Sequence, residues 1–371
     1  MLALGAVGIF DGALGVAWPS MRETFDQPLA ALGVLLLAYT GGYFVTSSIG
    51  GWLLERVGTG NALIAIACTA IAGASLFSIS PVWIVVLAGA AVMGMASGAA
   101  DLTLNHEVAQ HHGVREMGFL HAAWGLGAAV GPAVVTVFVT GGRTWRLAFV
   151  PIIVLQLALL VAYVLLRNDW APVPKHADAA EGTEPLDRVA LGIMLGLFLL
   201  YVGLESGIGA WSFTLLTDGR GMSDGTAGAW MSAYWLSLTV GRVLLGFVGG
   251  RFAPNSLLSG SVGVAVGGCV LLWLDPGGVG VVALVPVGLA CASVFPILVV
   301  VTPERLGAHR VARAIGLQIA ASSVGGVLLP AGLGVGAQTW GVDALGWMFS
   351  LCAVALAALH VAALLRQRAR R

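Results

Sequence analysis

Twelve apolar runs, each close to the length of about 20 residues that an α-helix needs to cross a bilayer, occupy nearly all of this 371-residue chain. Inside lipid only helices and closed barrels satisfy every backbone N–H and C=O. Runs this long and this apolar are helices. They fall near 2–19, 30–54, 61–79, 82–105, 116–140, 145–166, 189–216, 224–248, 255–274, 279–301, 312–337 and 344–366. Their separators are residues that end helices or start turns: Trp18-Pro19, Ser80-Pro81, Gly141-Gly142, Asp275-Pro276-Gly277-Gly278 and Thr302-Pro303. Charged residues are only 10% of the chain, against about 25% in a soluble domain. The 53 glycines suit helices that approach closely where no hydrophobic force drives them together. The expected fold is an all-α membrane protein of twelve transmembrane helices. The first run lacks a basic flank and is read as the first membrane helix, not a signal peptide.

Several function classes fall away. A formal net charge of zero gives no footprint for nucleic acid. Cys68, Cys269, Cys291 and Cys352 are isolated within apolar runs, which supports neither a disulfide framework nor a zinc site. No phosphate loop or nucleophile elbow occurs, so neither an enzyme nor a cofactor is expected, and the chain has no room for an ATPase domain. His106, His111 and His112 cluster near the end of the fourth run and are read as solvated loop residues, with no metal.

Placing the N-terminus in the cytoplasm puts fourteen of the eighteen Lys and Arg residues on the cytoplasmic side, leaving Arg22, Arg143, Arg146 and Arg220 opposite. Basic residues concentrate on the cytoplasmic side of membrane proteins. Both termini are therefore expected in the cytoplasm and the chain in the inner (plasma) membrane. Residues 167–188, rich in Pro, Ala and charge, read as a cytoplasmic linker between six-helix bundles at 1–166 and 189–371.

The halves repeat landmarks at offsets of roughly 190–198 residues, a mark of transporter folds. Asp11-x-x-x-Gly15 matches Glu205-x-x-x-Gly209. Gly50 and Val57-Gly58 match Gly241 and Val248-Gly249. Gly94 matches Gly288, and Gly118, Gly127 and Pro132 match Gly316, Gly325 and Pro330. Helix n pairs with helix n+6, so the two bundles are expected to be pseudo-symmetric with a solute pathway between them.

An ionisable group within a span is costly, and each is a functional candidate. Asp11 and Glu205 lie mid-span in runs one and seven. Asp101 and Asn105 share a face of run four at i, i+4 spacing. Asp11, Asp101 and Glu205 are candidate proton-coupling carboxylates. His121, Trp124, Trp211, Tyr234, Trp235 and Gln318 are candidate solute contacts, since aromatic faces beside polar groups suit a flat or ring-shaped solute.

The loop between runs two and three reads Gly51-Trp52-Leu53-Leu54-Glu55-Arg56-Val57-Gly58. It resembles the signature loop of the major facilitator superfamily, with Glu55 in place of the commoner Asp and Asn61 where a basic residue often follows. By that resemblance Gly51, Glu55, Arg56 and Gly58 belong to a cytoplasmic gate, and Gly241-Arg242 through Arg251 forms a degenerate second copy. Asp11, Asp101 with Asn105, the stretch from Leu120-His121 to Gly131-Pro132, and Glu205 ahead of Trp211 resemble the fucose-permease-like branch of sugar/proton symporters. That resemblance implies proton coupling at Asp11 and Asp101, and a sugar facing Glu205 and Trp211. Gly118, Gly127 and Gly131-Pro132 also resemble most of a drug/proton antiporter motif, with Val135 at its last Gly. The expectation is a monomeric secondary transporter working by alternating access, with protons and a small solute as partners in a lipid bilayer. Proton-coupled sugar import leads, drug/proton antiport is the alternative, and a non-transporting sensor comes third.

Overall fold

The computed structural model describes residues 1–111, 114–170, 187–248, 251–306 and 311–369. His112, Gly249 and residues 171–186 of the expected linker lie outside the described residues. The chain divides into two compact units, Met1–Ala177 and Asp178–Arg371.

The first unit holds α1 (Leu2–Thr24), α2 (Ala31–Ile79), α3 (Trp83–His111), α4 (Val114–Thr140) and α5 (Val150–Leu165). The second holds α6 (Arg188–Thr214), α7 (Asp224–Val248), α8 (Pro254–Leu274), α9 (Leu284–Leu306), α10 (Val311–Trp340) and α11 (Ala344–Ala369). Helix α2 runs for 49 residues and is non-helical only at Gly58, with φ 75° and ψ 159°. That backbone region is essentially closed to residues bearing a Cβ. Gly58 therefore bends α2 into arms 31–57 and 59–79, each longer than the crossing length of about 20 residues. Counting the arms separately gives twelve helical segments among the described residues, in line with the twelve spans expected. Among the described residues, ten helices are long and apolar enough to cross a membrane, with α2 counted once. Helix α7, interrupted by Ser232, Thr239 and Arg242, falls below that measure.

Two local expectations change. The connection expected as a loop at Gly51–Gly58 is helix up to the single bend residue, whereas Gly241 and Arg242 sit inside α7, within the run expected at 224–248. Trp18-Pro19 and Thr302-Pro303 do not end their helices, because α1 continues through Pro19 to Thr24 and α9 through Pro303 to Leu306. Proline removes one backbone donor, and neighbouring helices and Ser/Thr side chains make that tolerable inside a membrane.

The same pairing pattern recurs in both units. Helix α1 packs on α4, the first arm of α2 on α3, and α2 also on α5. In the second unit α6 packs on α10, α7 on α9, and α8 on α11. Close backbone approach sets the first two pairs. A Cβ at Gly127 would strike the Gly5 carbonyl, and one at Gly325 would strike that of Leu199. A Cβ at Gly94 would strike the Tyr39 carbonyl, and one at Gly288 that of Tyr234. The paired glycines are those matched between the halves of the sequence, so the duplication reappears as equivalent helix contacts. Small residues at such crossings let backbones meet in the absence of a hydrophobic drive. Away from the crossings, Phe10, Phe77 and Phe149 fill the first unit, the last two with ring centroids 4.8 Å apart. In the second unit Asp187 caps α6 through Val189 N and Ala190 N, both at 3.0 Å. It also pairs with Arg366 of α11 at 3.1 Å, which ties the start of one helix to the end of another.

Candidate functional site

Helix α1 presents Asp11 where α2 and α4 converge on it. Tyr39 Oη, on α2, donates to Asp11 Oδ1 at 2.6 Å, and Trp124 Nε1, on α4, donates to Oδ2 at 2.9 Å. One turn further along α2, Tyr43 Oη donates to Asp101 Oδ2 at 2.7 Å. Asn105 Nδ2 donates to Asp101 Oδ1 at 2.7 Å and to the Asp101 carbonyl at 2.8 Å. The i, i+4 spacing of Asp101 and Asn105 thus becomes a direct bond. Both carboxylates lie within helices, half-buried, and among the described residues each accepts its side-chain hydrogen bonds from neutral groups alone. His121 is half-buried on α4, three residues before Trp124.

The second unit treats its carboxylate differently. Glu205 of α6 accepts a short hydrogen bond from Tyr201 Oη, one turn earlier on the same helix. Its other oxygen lies 3.8 Å from a guanidinium nitrogen of Arg242 on α7. Tyr201 Oη also reaches the Cys291 carbonyl at 2.9 Å, and Tyr234 Oη donates to the Glu205 carbonyl at 3.1 Å. Among the described residues, Glu205 therefore has a cationic partner and Asp11 and Asp101 have none.

The other expected site residues are placed as follows. Trp211 is fully buried and its indole donates to the Pro330 carbonyl at 2.8 Å. Tyr234 is fully buried and meets Trp235 edge-on, with centroids 5.1 Å apart. The Trp235 ring covers Gly209 of α6. Gln318, also fully buried, pairs with Thr302 across α10 and α9 at 3.1 and 3.2 Å. Arg56 stands 4.0 Å over the Trp52 ring, a cation–π contact. Glu55 and Arg56 are exposed on α2 ahead of the Gly58 bend. A Cβ at Gly241 would strike Ala292, so that glycine serves the α7–α9 crossing. His111 ends α3 and its Nδ1 lies 3.1 Å from Glu107, which in turn accepts from Thr59 at 3.1 Å. This histidine is thus tied to a buried acid, where a loop position was expected.

Sequence reasoning missed Tyr39, Tyr43 and Tyr201, and missed Arg242 as the partner of Glu205. A signal existed: four of the five tyrosines lie in the spans that carry or adjoin the acids, two of them at i, i+4. A tyrosine with an apolar body reads equally well as core or interface, so the spacing alone does not separate the cases.

Comparison with known proteins is consistent with the fold. The family model described as Major Facilitator Superfamily matches residues 1–330. A protein of Saccharomyces cerevisiae, "Bypass of stop codon protein 6", is 23% identical over 67% of this chain, which spans 56% of that protein. The "Glucose/mannose transporter GlcP" of Bacillus subtilis is 22% identical over 87% of this chain and 83% of its own. Among solved structures, the E. coli "Fucose:proton symporter, FucP (N162A)" superposes with a TM-score of 0.62, at 17% identity over 98% of this chain and 97% of that one.

Proposed function

The chain belongs to the major facilitator superfamily, and from that premise we propose that it is a secondary active transporter that imports a sugar or sugar-like solute together with protons. It works by alternating access in the inner membrane, with both termini in the cytoplasm. The relatives named for glucose/mannose transport and for fucose:proton symport support the solute class and the coupling ion. The setting of Asp11 carries the mechanism. It is a carboxylate inside a membrane helix, held by a phenol and an indole and, among the described residues, by no cation. A charge so placed is expensive, and taking up a proton removes it. Asp101 shares that setting. Glu205 is a third coupling group, set apart by Arg242.

Within the first unit, solute recognition falls to Asn105, His121 and Trp124. They offer amide, imidazole and indole groups suited to a polyhydroxylated ring. The Gly51–Gly58 stretch with Glu55 and Arg56, and Gly241-Arg242 of α7, serve the gate.

The test is the purified protein in liposomes under an inward proton gradient, with internal pH followed as D-glucose, D-mannose, L-fucose and a set of amphipathic cations are added. A sugar should accelerate internal acidification, and Asp11→Asn should abolish that response. Proton efflux driven by amphipathic cations, with no response to any sugar, would replace this reading with drug/proton antiport.

A further inference from the structure

We propose that Tyr39 and Tyr43 form a proton relay between Asp11 and Asp101 within the first unit, a role that rests on the proton-coupling reading above. The argument starts from what holds each oxygen. Asp11 Oδ2 is bound by the Trp124 indole N–H and Asp101 Oδ1 by the Asn105 amide. Both are donors without an acceptor site on the same nitrogen, so neither can pass a proton on. The remaining oxygen of each acid is bound by a phenol, Tyr39 on Asp11 Oδ1 and Tyr43 on Asp101 Oδ2. A hydroxyl both donates and accepts. Among the described residues, the phenols are therefore the hydrogen-bonded groups through which a proton can enter or leave either acid.

The backbone fixes the pair in register. Tyr39 and Tyr43 are one turn apart on the same face of α2, separated by about 6 Å along its axis. Each has its carbonyl seated on a glycine of α3. A Cβ at Gly94 would strike the Tyr39 carbonyl, and one at Gly98 the Tyr43 carbonyl. Both tyrosines are thus clamped to the helix that carries Asp101, while Tyr39 reaches across to α1. The relay takes one water molecule between the two hydroxyls, each of which can donate to it or accept from it.

Transfer in one direction proceeds as follows. Protonated Asp11 gives its proton to the Tyr39 oxygen as Tyr39 passes its own to the bridging water. That water passes one of its protons to the Tyr43 oxygen, and Tyr43 passes its own to Asp101 Oδ2. Asp11 ends as a carboxylate and Asp101 as an acid, with both phenols and the water restored. One proton has moved and no other charge has been created. Tyr39 then donates to Asp11 as in the structure, and Tyr43 regains its bond to Asp101 Oδ2 once that acid releases its proton.

The experiment compares Tyr39→Phe and Tyr43→Phe with Asp11→Asn and the unsubstituted protein in liposomes. Radiolabelled D-glucose or L-fucose is used, whichever the panel above selects. Phenylalanine keeps the ring and its packing and removes only the hydroxyl. Two readings are taken: uptake driven by a proton gradient, and solute counterflow without one, which needs no net proton movement. The relay predicts that each Phe variant loses about 100-fold in gradient-driven uptake, the lower end of what a positioned proton-transfer group contributes, and keeps counterflow. Gradient-driven uptake at the unsubstituted rate in both Phe variants, with Asp11→Asn inactive, would overturn the relay and leave proton coupling standing. Loss of counterflow in proportion to uptake would also overturn it, because the hydroxyls would then be serving solute contact or packing. Full uptake in Asp11→Asn would remove the coupling reading itself, and the relay with it.

Discussion

Arg242 and Glu205 pose the sharpest question of charge at the residue scale. Both lie in helical segments, their side chains 23% and 10% exposed, with 3.8 Å between them. Removing one member of a buried ion pair leaves the other charge uncompensated and costs about 3 kcal/mol or more. Arg242→Gln should accordingly lower the unfolding midpoint in detergent, and Glu205→Gln added to it should restore much of the loss. A double variant no more stable than Arg242→Gln alone would mean that Glu205 does not feel Arg242. Asp11 and Asp101 show the opposite arrangement, with neutral donors only among the described residues. Asp11→Asn should therefore leave the fold in place and abolish sugar-driven acidification. The three acids were legible in the sequence because an ionisable residue in an apolar run stands out. Their partners were not: Trp124 lies 113 residues from Asp11, and Tyr39 lies 28.

At the scale of elements, the glycine crossings decide which side chains meet. Gly94 and Gly288 occupy equivalent crossings, one seating the carbonyl of Tyr39 and the other that of Tyr234. A larger residue at either must push the facing helix away. Gly94→Leu should separate α2 from α3, draw Tyr39 and Tyr43 off their carboxylates, and reduce both folded yield and gradient-driven uptake. Gly288→Leu should disturb α7 against α9 and with it the Tyr234 bond to Glu205. Size-exclusion profiles and uptake in the two variants check this. Normal uptake in Gly94→Leu would show that the crossing does not position the site. The glycines were visible in the sequence as repeat landmarks. That their crossings carry the tyrosines was not, because a landmark does not state which face of which helix lies opposite. The bend at Gly58 is a similar case. The sequence marks a break there, and only the backbone shows that one residue at φ 75° accomplishes it.

On the scale of the whole molecule, the orientation drawn from the basic residues awaits a direct measurement. A fluorescent protein fused after Arg371 should fluoresce in intact cells, and a cysteine replacing Arg143 should react with an impermeant maleimide from outside. Reaction only after the membrane is opened would invert the topology. The hydrophobic runs by themselves determined that the chain is helical, that it crosses a bilayer about twelve times, and that its halves are related, because span length and duplication are local properties of the sequence. Helices α1 and α4 are far apart along the chain, and so are α6 and α10. Their pairing, the Tyr39 and Tyr43 phenols on Asp11 and Asp101, and the Arg242 guanidinium on Glu205 were decided by tertiary packing alone. The physical reason is that lipid exerts no hydrophobic preference among apolar helix faces, so close backbone fit and a few polar contacts select each partner.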